Sequence, residues 1–210
     1  MTVANLASFT AWIADYAEVV NDQADYLTDL DRAIGDADHG SNMKRGMAKA
    51  AELAGAEEFA SIDVYLKKVG MTLVSNVGGA SGPLYGTFFL RMAGALADVE
   101  EAGAAEVGAG LRAGVEGILA RGKAEAGDKT MYDAWAPALE AFDSAAGSGS
   151  DLAGALGAAA EAAATGRDAT QELIARKGRA SYLGERSRGH LDPGATSSTM
   201  LLESAARTLT

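Results

Sequence analysis

The chain has no cysteine, which excludes disulfides and thiolate chemistry. It also lacks a basic leader. The first residues, MTVANLASFTAWIADYAEVV, carry Asp15 and Glu18 instead, so neither a signal peptide nor a transit peptide is read there. No apolar run approaches the ~18 residues of a membrane span. Positive charge is in short supply: the formal net charge is −11, which argues against nucleic acid or an anionic membrane as a partner. The chain is therefore expected to be soluble and cytoplasmic. Strand-like alternation is scarce and β-branched residues rarely cluster. The phosphate loop G-x-x-x-x-G-K-[ST] is absent, and Gly79-Ala80-Ser81-Gly82 fails as a nucleophile elbow because Pro83 occupies the fifth place.

What is present is helical periodicity. Leu6, Phe9, Trp12, Ile13, Tyr16, Val19 and Val20 recur at helix spacing, as do Ile62, Leu66, Val69, Leu73 and Val77. Glu106–Ala120 repeats the pattern, and the alanine-rich stretch Asp151–Ala175 has high helix propensity. With 210 residues, 48% of them apolar, these patterns predict an all-α chain of about eight helices. Turn formers mark the breaks. Gly147–Ser150, GSGS, is read as an interhelix turn rather than a domain linker, so residues 1–210 form a single domain.

The stretch from Asp31 to Asp38 crowds three carboxylates, Asp31, Asp36 and Asp38, into eight residues. A bend at Gly35 would bring them together. Like charges at ~4 Å repel by ~1 kcal/mol even in water, so the cluster calls for a proton or a cation. Oxygen ligands without cysteine point to Mg²⁺ or Ca²⁺. An EF-hand counted from Asp36 puts Ser41 at position 6 and Met47 at position 12, where glycine and glutamate are required. Mg²⁺ completed by phosphate oxygens is the better fit. Gly78–Thr87, GGASGPLYGT, offers a glycine loop and then Pro83 in a helix's first turn, an arrangement that suits an anion. The G-x-G-x-x-A match at Gly108–Ala113 lies inside a helical pattern with no strand before it and is read as chance. Asp128 or Thr130 is expected to cap a helix, and Arg176–Arg186 gathers cations in an acidic chain.

Four long segments carry a resemblance: LDRAIGDADHGSNM, NVGGASGPLYGTFF, RGKAEAGDKTMYDAWAP and ARKGRASYLGERSRGHLDPGATSS. In this order the chain resembles the nucleotide-binding L subunit of bacterial dihydroxyacetone kinase. The resemblance implies a barrel of eight antiparallel helices with a nucleotide held by loops at one rim. It implies Asp31, Asp36 and Asp38 as ligands of two Mg²⁺ ions, and nucleotide contacts from His39, Gly40, Ser41 and Asn42. Ala80 and Ser81 would meet the phosphates, Gly122 and Met131 would line the adenine side, and Arg179 with Asp192, Pro193 and Gly194 would close over it.

The same resemblance implies ADP as a resident cofactor. A phosphohistidine-bearing subunit of the phosphotransferase system would rephosphorylate it, and a separate K subunit would present dihydroxyacetone. The chain would form a homodimer within a K–L complex and would be inactive alone, the general base belonging to K. Alternatives are an ATP-dependent L subunit for dihydroxyacetone or a related ketose such as erythrulose, a nucleotide-dependent module that engages a transcription regulator, and the nucleotide domain of a fatty-acid kinase.

Overall fold

The computed structural model describes residues 2–209 and is built from helices; the extended pairing among these residues is a single Ala4–Ala102 bridge. Nine α-helices follow in order: α1 (Leu6–Asp22), α2 (Ala24–Ile34), α3 (His39–Ala56), α4 (Ile62–Asn76), α5 (Ser81–Ala95), α6 (Ala104–Gly122), α7 (Tyr132–Gly147), α8 (Leu152–Ala169) and α9 (Pro193–Thr208). The count is close to the eight or so expected, α1 and α2 being consecutive helices divided by a kink at Gln23. At the kink Gln23 N–H still donates to Val19 O, and Leu27 N–H to Gln23 O, both at 2.9 Å.

The helices close into a ring. Each of α3 to α8 packs on its successor, α8 packs on α9, and α9 returns to α1, which also packs on α3. Short connections between most neighbours make them run antiparallel. Closure is fixed by two buried hydrogen bonds from α1 to the α9 backbone: Trp12 Nε1 donates to Leu201 O at 2.9 Å, and Tyr16 donates to Ser197 O at 3.0 Å. The interior is aromatic. Trp12 meets Phe89 at 5.6 Å between ring centroids, and Phe88 meets Trp135 at 4.8 Å. Contacts of this kind add about 0.5–1.5 kcal/mol each beyond simple burial.

Pro137 sits inside α7 and cannot donate to the Asp133 carbonyl one turn back. Gly166 of α8 backs against that carbonyl; a Cβ there would lie 2.1 Å from Asp133 O. The missing side chain lets α7 and α8 approach closely. Gly147–Ser150 is indeed a turn between these two helices, and Gly108–Ala113 lies within α6.

Two sequence expectations need correction. The alanine-rich helix stops at Ala169, short of Ala175, because buried Thr170 turns its hydroxyl back onto Arg167 O and the chain extends at Leu173. Neither Asp128 nor Thr130 is the residue at the start of α7. The Asp128 carboxylate turns back to accept from Glu125 N–H, and Asp133 accepts from Gly127 and Thr130 N–H groups. Thr130 retains one capping contact, accepting from Tyr132 N–H at 3.2 Å.

Candidate functional site

Alternation around the ring gathers one set of helix ends at one rim: the C-termini of α2, α4, α6 and α8 with the N-termini of α3, α5, α7 and α9. Between them lies a cavity of about 520 Å³. Asp31, Asp36, Asp38 and His39 line it from the α2–α3 turn, and Ala80 and Ser81 from the glycine loop. Gly122 and Met131 line it from either side of the α6–α7 loop. Arg179 and the Asp192–Gly194 turn complete the wall. Gly40, Ser41 and Asn42 follow His39 along α3 and do not face the cavity. Gly40 packs on the Ala24 carbonyl, Ser41 is exposed, and Asn42 lies under Gly78 of the glycine loop.

The carboxylates converge because the α2–α3 turn is tight. Gly35 has no room for a side chain; a Cβ would lie 2.0 Å from Asp31 Oδ1. Ala37 is left-handed at φ 61°. One oxygen from each of Asp31, Asp36 and Asp38 lies within 4.8 Å of the others. Asp31 is buried and accepts from the N–H groups of Asp38 (2.9 Å) and His39 (3.2 Å), which holds the turn onto the start of α3. Arg179 pairs with Asp36 at 2.9 Å. An exposed pair of this kind is worth ~0–1 kcal/mol, so it leaves the cluster competent for a divalent ion. Three hard oxygen donors fit Mg²⁺ better than a softer metal.

Behind the carboxylates a buried polar chain joins three helices. Ser81 Oγ lies 3.1 Å from His39 Nδ1, and His39 Nε2 lies 2.9 Å from Ser197 Oγ. Tyr85 OH lies 2.7 Å from Ser197 Oγ and 3.1 Å from Ser198 Oγ. Ser197 Oγ also reaches Gly194 O at 3.2 Å; with its proton placed there, the imidazole donates through Nε2 and accepts from Ser81 at Nδ1. Burial lowers the His39 pKa to about 4 despite the nearby Asp31 and Asp38, so the ring is neutral. With both nitrogens engaged, His39 presents no free donor to a ligand. Ser81 would meet an anion through its main-chain N–H, one of the unpaired donors at the start of α5.

The segment 170–192, which carries two short 3₁₀ helices (Thr170–Glu172 and Arg179–Ser187), arches beside the opening. Its two feet are tied by Lys129, a residue that sequence reasoning missed. This lysine is 1% exposed, and its amino group donates to both Thr170 O and His190 O. Asp192 N–H donates to Thr170 Oγ1 at 3.0 Å, and Gly189 N–H to Gln171 O at 2.8 Å. Burial lowers the Lys129 pKa, with Asp192 opposing. Burial also raises Asp192 to about 7, against the Ala195 N–H that it accepts at 2.7 Å as cap of α9. At the far end of the arch Ala175, Ala180 and Leu183 pack on Ile34, placing Arg179 over Asp36.

The chain matches the DAK2 domain family over residues 33–207. It is 46% identical over 195 residues to the ADP-binding subunit DhaL of the PEP-dependent dihydroxyacetone kinase of Escherichia coli, covering 93% of each chain. It is also 46% identical over 197 residues to the corresponding subunit of kinase 1 of Listeria innocua, covering 94% of this chain and 93% of the other. Among solved structures it resembles the dihydroxyacetone kinase from C. freundii in complex with AMP-PNP and Mg²⁺. The TM-score is 0.72 at 25% identity, covering 99% of this chain but about a third (34%) of that one.

Proposed function

This chain belongs to the DAK2 domain family, and from that premise we propose that it is the ADP-binding subunit of a PEP-dependent dihydroxyacetone kinase, a phosphotransferase. The observation that carries the reading is the convergence of Asp31, Asp36 and Asp38 beside the N-termini of α3 and α5. Likeness over nearly the whole length to two ADP-binding subunits supports it. When bound, ADP supplies a carrier that takes a phosphoryl group from a phosphohistidine-bearing subunit and yields it to dihydroxyacetone on a K subunit.

The chain's own residues bind, orient and neutralise. Asp31, Asp36 and Asp38 would hold two Mg²⁺ ions. N–H groups of Ala80 and Ser81 would receive phosphate oxygens, where the helix dipole adds to the ions' neutralisation. Gly122 and Met131 would border the adenine. Arg179 would exchange its pairing with Asp36 for phosphate, and Asp192, Pro193 and Gly194 would close the opposite wall. Gly40, Ser41 and Asn42 would act through the backbone of α3 and its packing on the glycine loop. The whole of 1–210 would work as one domain, as a cytoplasmic homodimer with K; among the described residues no helix is long and apolar enough to cross a membrane.

A second reading, an ATP-dependent subunit for dihydroxyacetone or a related ketose, draws on the AMP-PNP in the C. freundii kinase. Native mass spectrometry and calorimetry separate the two. The ADP reading expects purified chain to carry ADP at one per chain and to bind it only with Mg²⁺. Chain isolated free of nucleotide, and turnover from ATP with K but no phosphohistidine donor, would favour the ATP reading. Absence of any Mg²⁺-dependent nucleotide binding would sink both.

A further inference from the structure

The arch 170–192 concentrates positive charge. Between Arg176 and Arg188 lie five cations and one acid, Glu185, a local charge of +4 in a chain of −11, so the remainder carries −15. These cations face two ways. Lys177 and Arg179 line the cavity. Arg176 and Arg186 do not; both are exposed, and neither has a carboxylate partner among the described residues. Between them Tyr182 is 88% exposed, by far the most exposed of the large apolar side chains described. The arch is nevertheless not loose. Lys129 ties its feet, and Ala175, Ala180 and Leu183 seat its tip on Ile34. Arginine and tyrosine on a held scaffold are the residue types that dominate protein–protein contacts.

We propose that Arg176, Tyr182 and Arg186 form the docking surface for the phosphohistidine-bearing donor subunit, through an acidic face around its phosphorylated histidine. The inference rests on the proposed ADP-subunit reading. The bound nucleotide does not need these side chains, because none of them lines its cavity. The rest of the chain carries a net −15, so an anionic protein is drawn to this arch, which stands beside the opening. Of the two partners in the reaction, the donor is the one whose reactive group brings negative charge. Dihydroxyacetone is neutral, so the subunit presenting it does not require cations on its path. Oriented charge of this kind steers encounter and is weakened by salt.

The test uses the full chain and measures binding rather than turnover. Affinities of the purified donor subunit, and separately of the dihydroxyacetone-binding subunit, are determined for wild type, R176E/R186E and Tyr182→Ala, at low and high salt. Mg·ADP affinity is measured in parallel. The proposal expects donor binding to weaken about tenfold or more in each variant. The salt dependence should flatten in R176E/R186E, while the other subunit and Mg·ADP stay within about twofold. Unchanged donor binding overturns it. So does an equal loss for both subunits, or a loss confined to the dihydroxyacetone-binding subunit. A wild-type chain that binds neither Mg·ADP nor either subunit refutes the underlying reading instead.

Discussion

The Ser81 hydroxyl and His39 Nδ1 stand 3.1 Å apart, so the glycine loop and the carboxylate turn are joined by a single hydrogen bond. His39 thereby links α5 to α9, with both of its ring nitrogens engaged. His39→Ala should leave the Ser81 and Ser197 hydroxyls without their shared partner and open a buried gap. A loss of about 2–4 kcal/mol in unfolding free energy is expected from denaturant titration. Ser81→Ala, which removes one end of the chain of contacts, should cost about 1 kcal/mol and still bind Mg·ADP through the main chain. Loss of all Mg·ADP binding in Ser81→Ala would refute the main-chain assignment.

The three aspartates should separate by role. Asp36→Ala removes a proposed metal donor and the exposed Arg179 pair, so thermal stability of the apo chain should change little. Mg²⁺-dependent ADP binding should fall by a factor of at least ~100. Asp31→Ala should do both kinds of harm, because Asp31 also accepts the Asp38 and His39 N–H groups while buried. Its added stability cost is expected at about 1–3 kcal/mol. Calorimetry and melting curves on the same samples test the split.

Lys129→Met keeps the side-chain length and removes the ammonium that ties the two feet of the arch. Thr170 O and His190 O then lose a charged donor, at about 1–3 kcal/mol. The opening this permits is local, so trypsin should cut between Arg176 and Arg188 roughly tenfold faster while helicity by circular dichroism is kept. Unaltered cleavage would show that the apolar seat on Ile34 holds the arch alone.

Asp192 gives a pH dependence of known sign. Its folded pKa, raised to about 7 by burial, lies above the ordinary carboxylate value. The folded state therefore binds the proton more tightly than the unfolded chain. The contribution is fully present below about pH 4 and is lost as pH rises to about 7. Asp192→Asn keeps the cap of α9 but cannot ionise. Its stability between pH 4 and 7 should gain relative to wild type as pH rises, and parallel curves for the two proteins would refute the raised pKa.

The carboxylate cluster was legible because its geometry is local. Asp31, Asp36 and Asp38 are close in sequence, and one tight turn at Gly35 and Ala37 suffices to bring them together. The ring of helices was legible for a related reason, since each helix carries its own apolar period. Lys129 was not. A lysine in a Gly-Asp-Lys-Thr turn reads as solvated, and its partners Thr170 and His190 lie 41 and 61 residues away. Tyr85 and Ser197 were missed likewise, since their contact spans 112 residues and joins two helices that only ring closure brings together. The early end of α8 escaped because alanine propensity continues past Ala169, while the stop depends on the burial of Thr170.

The closure of α9 onto α1 also sets an order of events during synthesis. The cavity takes its first wall from Asp31 and its last from Gly194. Trp12 finds its hydrogen-bond acceptor only in Leu201. Residues as far as α9 must therefore have been synthesised before the proposed nucleotide site can close, so a product stopped short of α9 would be blind to Mg·ADP.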